Sequence, residues 1–160
     1  MLNEKELMIL SELRKDSRQS LTDISRKTNI PVSTIFDNLI KLNKGIVKKK
    51  VSLLNFDVMG YPIFVNLIVR SSGKKNVERL LLSKPNVNSL SRTKGENCFF
   101  IQCFFRNMSE FESFKDELNE MGAKELKEFH VIGEIKREVF LTNESHIKMA
   151  LENKEDLFFP

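Results

Sequence analysis

Cysteine, histidine and long apolar runs are what this sequence has least of, and each shortage excludes a class of function. Only Cys98 and Cys103 occur in 160 residues. They stand five apart in an apolar run that reads as a strand, so their side chains are expected on opposite faces, where they cannot easily bridge. His130 and His146 are the sole histidines and are remote from the cysteines, so no zinc site is expected. No window approaches the roughly 18 consecutive apolar residues of a membrane span. The opening MLNEKELMIL carries acids where a secretory leader carries a basic region. A soluble, cytoplasmic protein with no membrane partner is the expectation. No Ser/His/Asp grouping, Gly-rich phosphate loop or catalytic carboxylate pair is visible, so no catalytic residues and no cofactor are expected.

What is present is enough apolar residue, 41% of the chain, to build one medium core or two small ones. The formal charge is +4, and its placement says more than its size. Residues 1–51 hold 11 Lys and Arg against 6 acids, whereas residues 52–160 hold 15 against 16. A phosphate-binding module joined to a neutral module has that asymmetry, and so does ordinary surface charge.

Periodicity divides the first third into three helices. Asn3 is placed to cap a helix with Glu4 and Glu6 in its first turn, and Leu7, Leu10 and Leu13 form its stripe up to Lys15. Ser20 or Thr22 caps a second helix of about two turns, with Ile24 facing inward. Asn29 and Ile30 make a turn, and Pro31 suits the first position of a third helix. There Ile35, Leu39 and Leu42 fall at i, i+4 and i+7 and share the core face. Ser33, Asp37, Lys41 and Lys44 lie about 180° away at 100° per residue, with Thr34 and Asn38 on the flank. Short polar side chains with a basic edge can reach base edges in a DNA major groove. Phe36 and Ile40 lie partly on this outward side; packing under a wing is the expected use, contact with thymine methyl groups the other. Gly45 stops the helix, and Ile46 and Val47 are expected to open a strand running into Lys48, Lys49 and Lys50. Such a strand suits a wing along a phosphate backbone, or an edge whose lysines deter aggregation.

Residues 53–60 read as a linker. Beyond it the pattern is strand (63–70), helix (76–83), strand (87–93), strand (98–105), helix (109–121), strand (126–132). Ser109 and Glu112 match a capping box, Phe111, Phe114, Leu118 and Met121 line one helical face, Gly73 and Gly122 punctuate helix ends, and Lys94-Gly95 suits a hairpin turn. A βαββαβ order gives an antiparallel sheet with both helices on one face. Strands such as IFVNLIV and CFFIQCFF are apolar on both faces, so the uncovered face predicts a second copy of the chain. The expected organisation is an N-terminal module over 1–52, the linker, a second domain over 61–141 and a C-terminal extension over 142–160. Beyond Glu134 a strand at 138–141, a helix at 145–153 and a docked apolar ending, Leu157-Phe158-Phe159-Pro160, are expected.

The chain resembles the Lrp/AsnC (feast/famine) family of transcription regulators over about residues 1–140. The resemblance rests on LNEKELMILSELRKDSRQSLTDIS, NIPVSTIFDNLIKL, GIV, LNFDVMGYPIFVNLIVR and KGENCFFIQC, taken in order. It implies an α+β protein: an N-terminal winged helix-turn-helix that binds double-stranded DNA, then a ferredoxin-like βαββαβ (RAM-type) effector domain. It further implies homodimers through the sheet, with octamers as a larger assembly, and a small-molecule effector such as an amino acid. Carried onto this sequence, the DNA-binding positions are Ser33, Thr34, Asp37, Asn38, Lys41, Lys44, Lys48, Lys49 and Lys50. The effector positions are Gly95, Glu96 and Asn97, where the family's Gly-x-Tyr-Asp appears as Gly95-Glu96-Asn97-Cys98. Relatives often carry two arginines where Asp37-Asn38 stand, so a different base preference is expected, with Asp37 accepting from a cytosine amino group. The connection from Leu42 to Gly45 is one residue shorter than usual. Two other readings share the architecture. One resembles the sirohaem decarboxylases, tetrapyrrole enzymes that would call on His130 or His146; the other is a co-regulator that binds DNA weakly.

Overall fold

The computed structural model describes residues 2–71 and 74–152, which fall into two compact units. One takes in the chain up to Ser52 and again from Ile135; the other is Leu53–Glu134. The apolar ending Leu157–Pro160 and Gly73 lie outside the described residues. Among those described, no helix is long and apolar enough to cross a membrane.

The first unit is built on α1 (Glu4–Lys15), α2 (Leu21–Thr28) and α3 (Val32–Gly45). A capping box starts α1: Asn3 Oδ1 accepts from the Glu6 N–H at 2.9 Å, and the Glu6 carboxylate accepts from the Asn3 N–H at 2.8 Å. Ser20 caps α2, its Oγ accepting from the Asp23 N–H at 3.1 Å. The turn into α3 depends on Asn29, which ends α2 in the left-handed conformation (φ 56°), a geometry asparagine tolerates better than most side chains. Ser25 Oγ then donates to the Ile30 carbonyl at 2.7 Å. Pro31 is the residue before α3 rather than its first residue. Ile9, Leu10, Ile24, Ile30, Ile35 and Leu42 make the core, and Leu39 packs against it half-buried.

Glu12 braces α1 against α2 beneath this core. Its side chain is only 8% exposed, with the Lys15 ammonium 2.5 Å from one oxygen and that of Lys27 3.4 Å from the other. Residues after Ile135 return to the same unit. Arg14 pairs with Glu138 at 2.7 Å and donates to the Phe140 carbonyl at 3.2 Å, Leu141 joins the core, and α6 (Glu144–Glu152) lies against α1. The expected strand at 138–141 is absent; Glu138 and Leu141 both take positive φ, 52° and 62°, which breaks an extended run.

The expected strand after Gly45 is also absent. The Ile46 and Val47 N–H groups both donate to the Leu42 carbonyl at 2.9 Å, closing the helix, and residues 47–55 are neither helix nor strand. An isolated strand leaves its backbone donors and acceptors unpaired, and none of the described residues offers this segment a partner strand.

The second unit is a four-stranded antiparallel sheet in the order β2-β3-β1-β4, from β1 (Ile63–Ser71), β2 (Val87–Arg92), β3 (Cys98–Phe105) and β4 (Ala123–His130). Helices α4 (Lys74–Ser83) and α5 (Met108–Glu120) supply Val77, Leu81, Phe111, Phe114 and Leu118 to the core formed with Val65, Leu67, Val69, Phe99, Ile101, Cys103 and Phe105. Asn107, not Ser109, caps α5, accepting from the Glu110 N–H at 2.9 Å, while Glu110 accepts from the Arg106 N–H at 3.1 Å. Ser109 is already inside the helix, and Met121 beyond its end is 47% exposed. Alternation puts Cys103 on the core face and Cys98 on the other; both are buried free thiols, and burial pushes Cys103 up to about 12.

Candidate nucleic-acid interface

Helix α3 carries the site because its sequence fixes one face in the core and leaves the other free. Ile35 and Leu42 are fully buried, so Ser33, Asp37, Lys41 and Lys44 emerge opposite them, all exposed, with Thr34 half-buried at the margin. Lys48, Lys49 and Lys50 follow, also exposed. None of these five lysines has an ion pair among the described residues, so their ammonium groups are available to an outside anion. No side chain caps α3, since Pro31 has none to offer, and its first turn holds no acid. The helix dipole and the first N–H groups therefore add positive potential at the start of α3, the end opposite the lysines.

Asn38 departs from the expected set. It is 8% exposed, and its side-chain amide donates to the Thr34 carbonyl at 2.9 Å. The reason is angular: at 100° per residue it stands about 60° from Ile35 and about 40° from Leu42, nearer the buried stripe than the outward face. Phe36 and Ile40 depart in the other direction. With no wing strand over them, they are 54% and 44% exposed, and Val32 one turn earlier is 42% exposed.

The expected effector residues are in the second unit. Gly95 (φ 126°) and Asn97 (φ 52°) turn the chain from β2 to β3, where the Thr93 N–H donates to the Cys98 carbonyl at 2.9 Å. Gly95, Glu96 and Asn97 line a recess of about 480 Å³ with Arg92, Thr93, Cys98 and Phe99. A larger recess of about 710 Å³, which sequence reasoning missed, lies beside α5. There the Arg106 guanidinium sits 5.3 Å from the Tyr61 ring centroid and donates to its hydroxyl, and Lys84 pairs with Glu117. The two histidines occupy different units. His130 sets its ring edge-on to Phe111 at 5.3 Å, and His146 Nδ1 accepts from the Leu141 N–H at 3.1 Å.

The uncovered face of the sheet presents Phe64, Asn66, Ile68, Phe100, Gln102, Phe104 and Phe129, by the alternation and register of β1, β3 and β4. Phe56 covers part of it, its ring tilted by 30° against that of Phe104 with centroids 4.1 Å apart, and Phe104 stacks on Phe64 at 4.6 Å. Phe129 is 51% exposed, and Asn66 Oδ1 is buried without a hydrogen-bond donor among the described residues.

A winged helix-turn-helix DNA-binding family model matches residues 2–44, the segment that holds α1, α2 and all but the last residue of α3. An uncharacterized HTH-type transcriptional regulator of Pyrococcus horikoshii is 32% identical over 116 residues, which is 71% of this chain and 73% of that protein. LrpC of Bacillus subtilis has a similar structure, with a TM-score of 0.77 at 20% identity over 85% of this chain and 98% of that one. So does a transcriptional regulator of Neisseria meningitidis solved as a complex with L-Met, with a TM-score of 0.75 at 23% identity over 86% and 94%.

Proposed function

The chain belongs to the Lrp/AsnC family of HTH-type transcriptional regulators, and from that premise we propose that it reads specific duplex DNA as a two-fold dimer through the outward face of α3. One observation carries the reading: Ser33, Asp37, Lys41 and Lys44 stand exposed on one side of α3, and lysines 48–50, which follow in the chain, are exposed and have no ion pair among the described residues. Short polar groups address base edges, and free ammonium groups neutralise phosphates and release counterions. Pairing through the open sheet face is supported by its aromatic side chains and by the donorless Asn66 Oδ1, which costs free energy until a partner supplies a donor or water reaches it. A two-fold dimer presents two recognition helices to half-sites about one helical turn apart.

A small-molecule effector belongs to the same proposal. Its support is the recess at Gly95, Glu96 and Asn97, together with a structural neighbour whose complex holds L-Met. Selection of bound sequences from randomised duplex DNA by the full chain tests the reading of DNA. The expected product is an enriched pseudo-palindrome with half-sites about 10 base pairs apart; equal recovery of every sequence contradicts it.

A further inference from the structure

Val32, Phe36 and Ile40 fall at i, i+4 and i+8 of α3 and form an apolar ridge that the fold leaves open at 42%, 54% and 44% exposure. The core of this unit is complete without them, and the segment after Gly45 does not lie over them as a strand. The ridge is continuous with the polar outward face: at 100° per residue Ile40 stands about 20° from Ser33 and about 60° from Asp37. Its neighbours identify the occupant. Lys41 and Lys44 follow the ridge toward the end of the helix and lysines 48–50 come after it in the chain, all exposed and without an ion pair among the described residues, a flank complementary to a polyanion and unsuited to a purely apolar partner.

The major groove of duplex DNA exposes one apolar group on its base edges, the 5-methyl of thymine. Helix α3 also lacks the usual readers of purines near its start, where a recognition helix meets the bases. It has no Arg and no Gln, Asn38 is buried, and Asn43 lies in the last turns. On the reading of α3 proposed above, we propose that Phe36 and Ile40 determine specificity by recognising thymine through its 5-methyl group, so that each half-site carries thymines where the ridge lies.

The test uses the full chain and the duplex recovered by selection, synthesised with deoxyuridine in place of thymine one position at a time. Uracil pairs as thymine does and lacks only the methyl. For the wild-type protein, dissociation constants from fluorescence anisotropy should rise roughly three- to fivefold at each contacted thymine, the worth of one buried methyl group. Phe36→Ala and Ile40→Ala alter exposed positions; each should bind the thymine duplex more weakly and lose most of its response to uracil at particular positions, with Phe36→Leu keeping part of it. Equal uracil penalties in wild type and variants, or no penalty anywhere, overturn the proposal. So does a change in the sedimentation of the free variants with an unaltered uracil response, which would make the ridge a contact between copies of the chain. Failure to enrich any duplex is a separate result: it removes the reading of α3 and this inference with it.

Discussion

Asn38 turns its side-chain amide back along α3 and donates to the Thr34 carbonyl one turn earlier, at 2.9 Å. A buried amide so engaged is part of the helix's support rather than its reading surface. Asn38→Ala should therefore cost about 1 kcal/mol of stability while leaving the preferred DNA sequence unchanged. Urea unfolding and repeat selection of bound duplexes check the two halves; a changed sequence preference would return Asn38 to the reading set.

Glu12 gives the first unit a pH dependence with a defined sign. Burial alone would push its carboxyl up, but Lys15, and then Lys27, outweigh that and hold it below the ordinary value of 4.5. The folded state thus favours the ionised form. The stabilisation is fully present above the unfolded value and is lost as pH falls through the lower folded one. Glu12→Gln should cost about 1–2 kcal/mol at neutral pH, and its unfolding free energy should fall less steeply than wild type below about pH 4.5. Parallel pH profiles for the two proteins contradict this.

Lys48, Lys49 and Lys50 should act through phosphates and not through sequence. Replacing all three by alanine should weaken binding to selected and unrelated duplexes alike. The slope of log K against log salt should shrink by about 0.9 for each phosphate that is no longer neutralised. Anisotropy titrations over a range of salt concentrations measure it, and an unchanged slope removes these lysines from the interface.

Phe100→Glu puts a charge in the middle of the uncovered sheet face. Dimer formation through that face predicts a monomer in sedimentation equilibrium with unaltered circular dichroism. An unchanged mass would move the dimer interface elsewhere.

Much of this fold is legible in the sequence because its signals are local. The Asn3 cap, the i, i+4, i+7 stripe of α3, and the apolar runs of β1 and β3 each depend on residues a few positions apart. What is not legible depends on distant partners or fine angle. The lysine-rich segment after Gly45 has the composition of a strand, but a strand also needs a neighbour, which composition does not supply. Arg14 and Glu138 are 124 residues apart, so nothing local signals that the chain after Ile135 returns to α1. The polarity of Asn38 suggests the outward flank, although its angle from Ile35 and Leu42 points inward. Asn107 outcompetes Ser109 as the cap of α5 because it holds the extended conformation (φ −155°) just before the first turn.

The central claim is that α3 reads bases, and the affinity ratio between the selected duplex and a scrambled duplex of the same composition tests it most directly. At one fixed salt concentration, wild type should show a ratio of about 10³ or more. Ser33→Ala and Asp37→Ala should each lower it by about tenfold while leaving affinity for the scrambled duplex within about twofold. A ratio near one for wild type, or ratios untouched by both substitutions, would contradict the account.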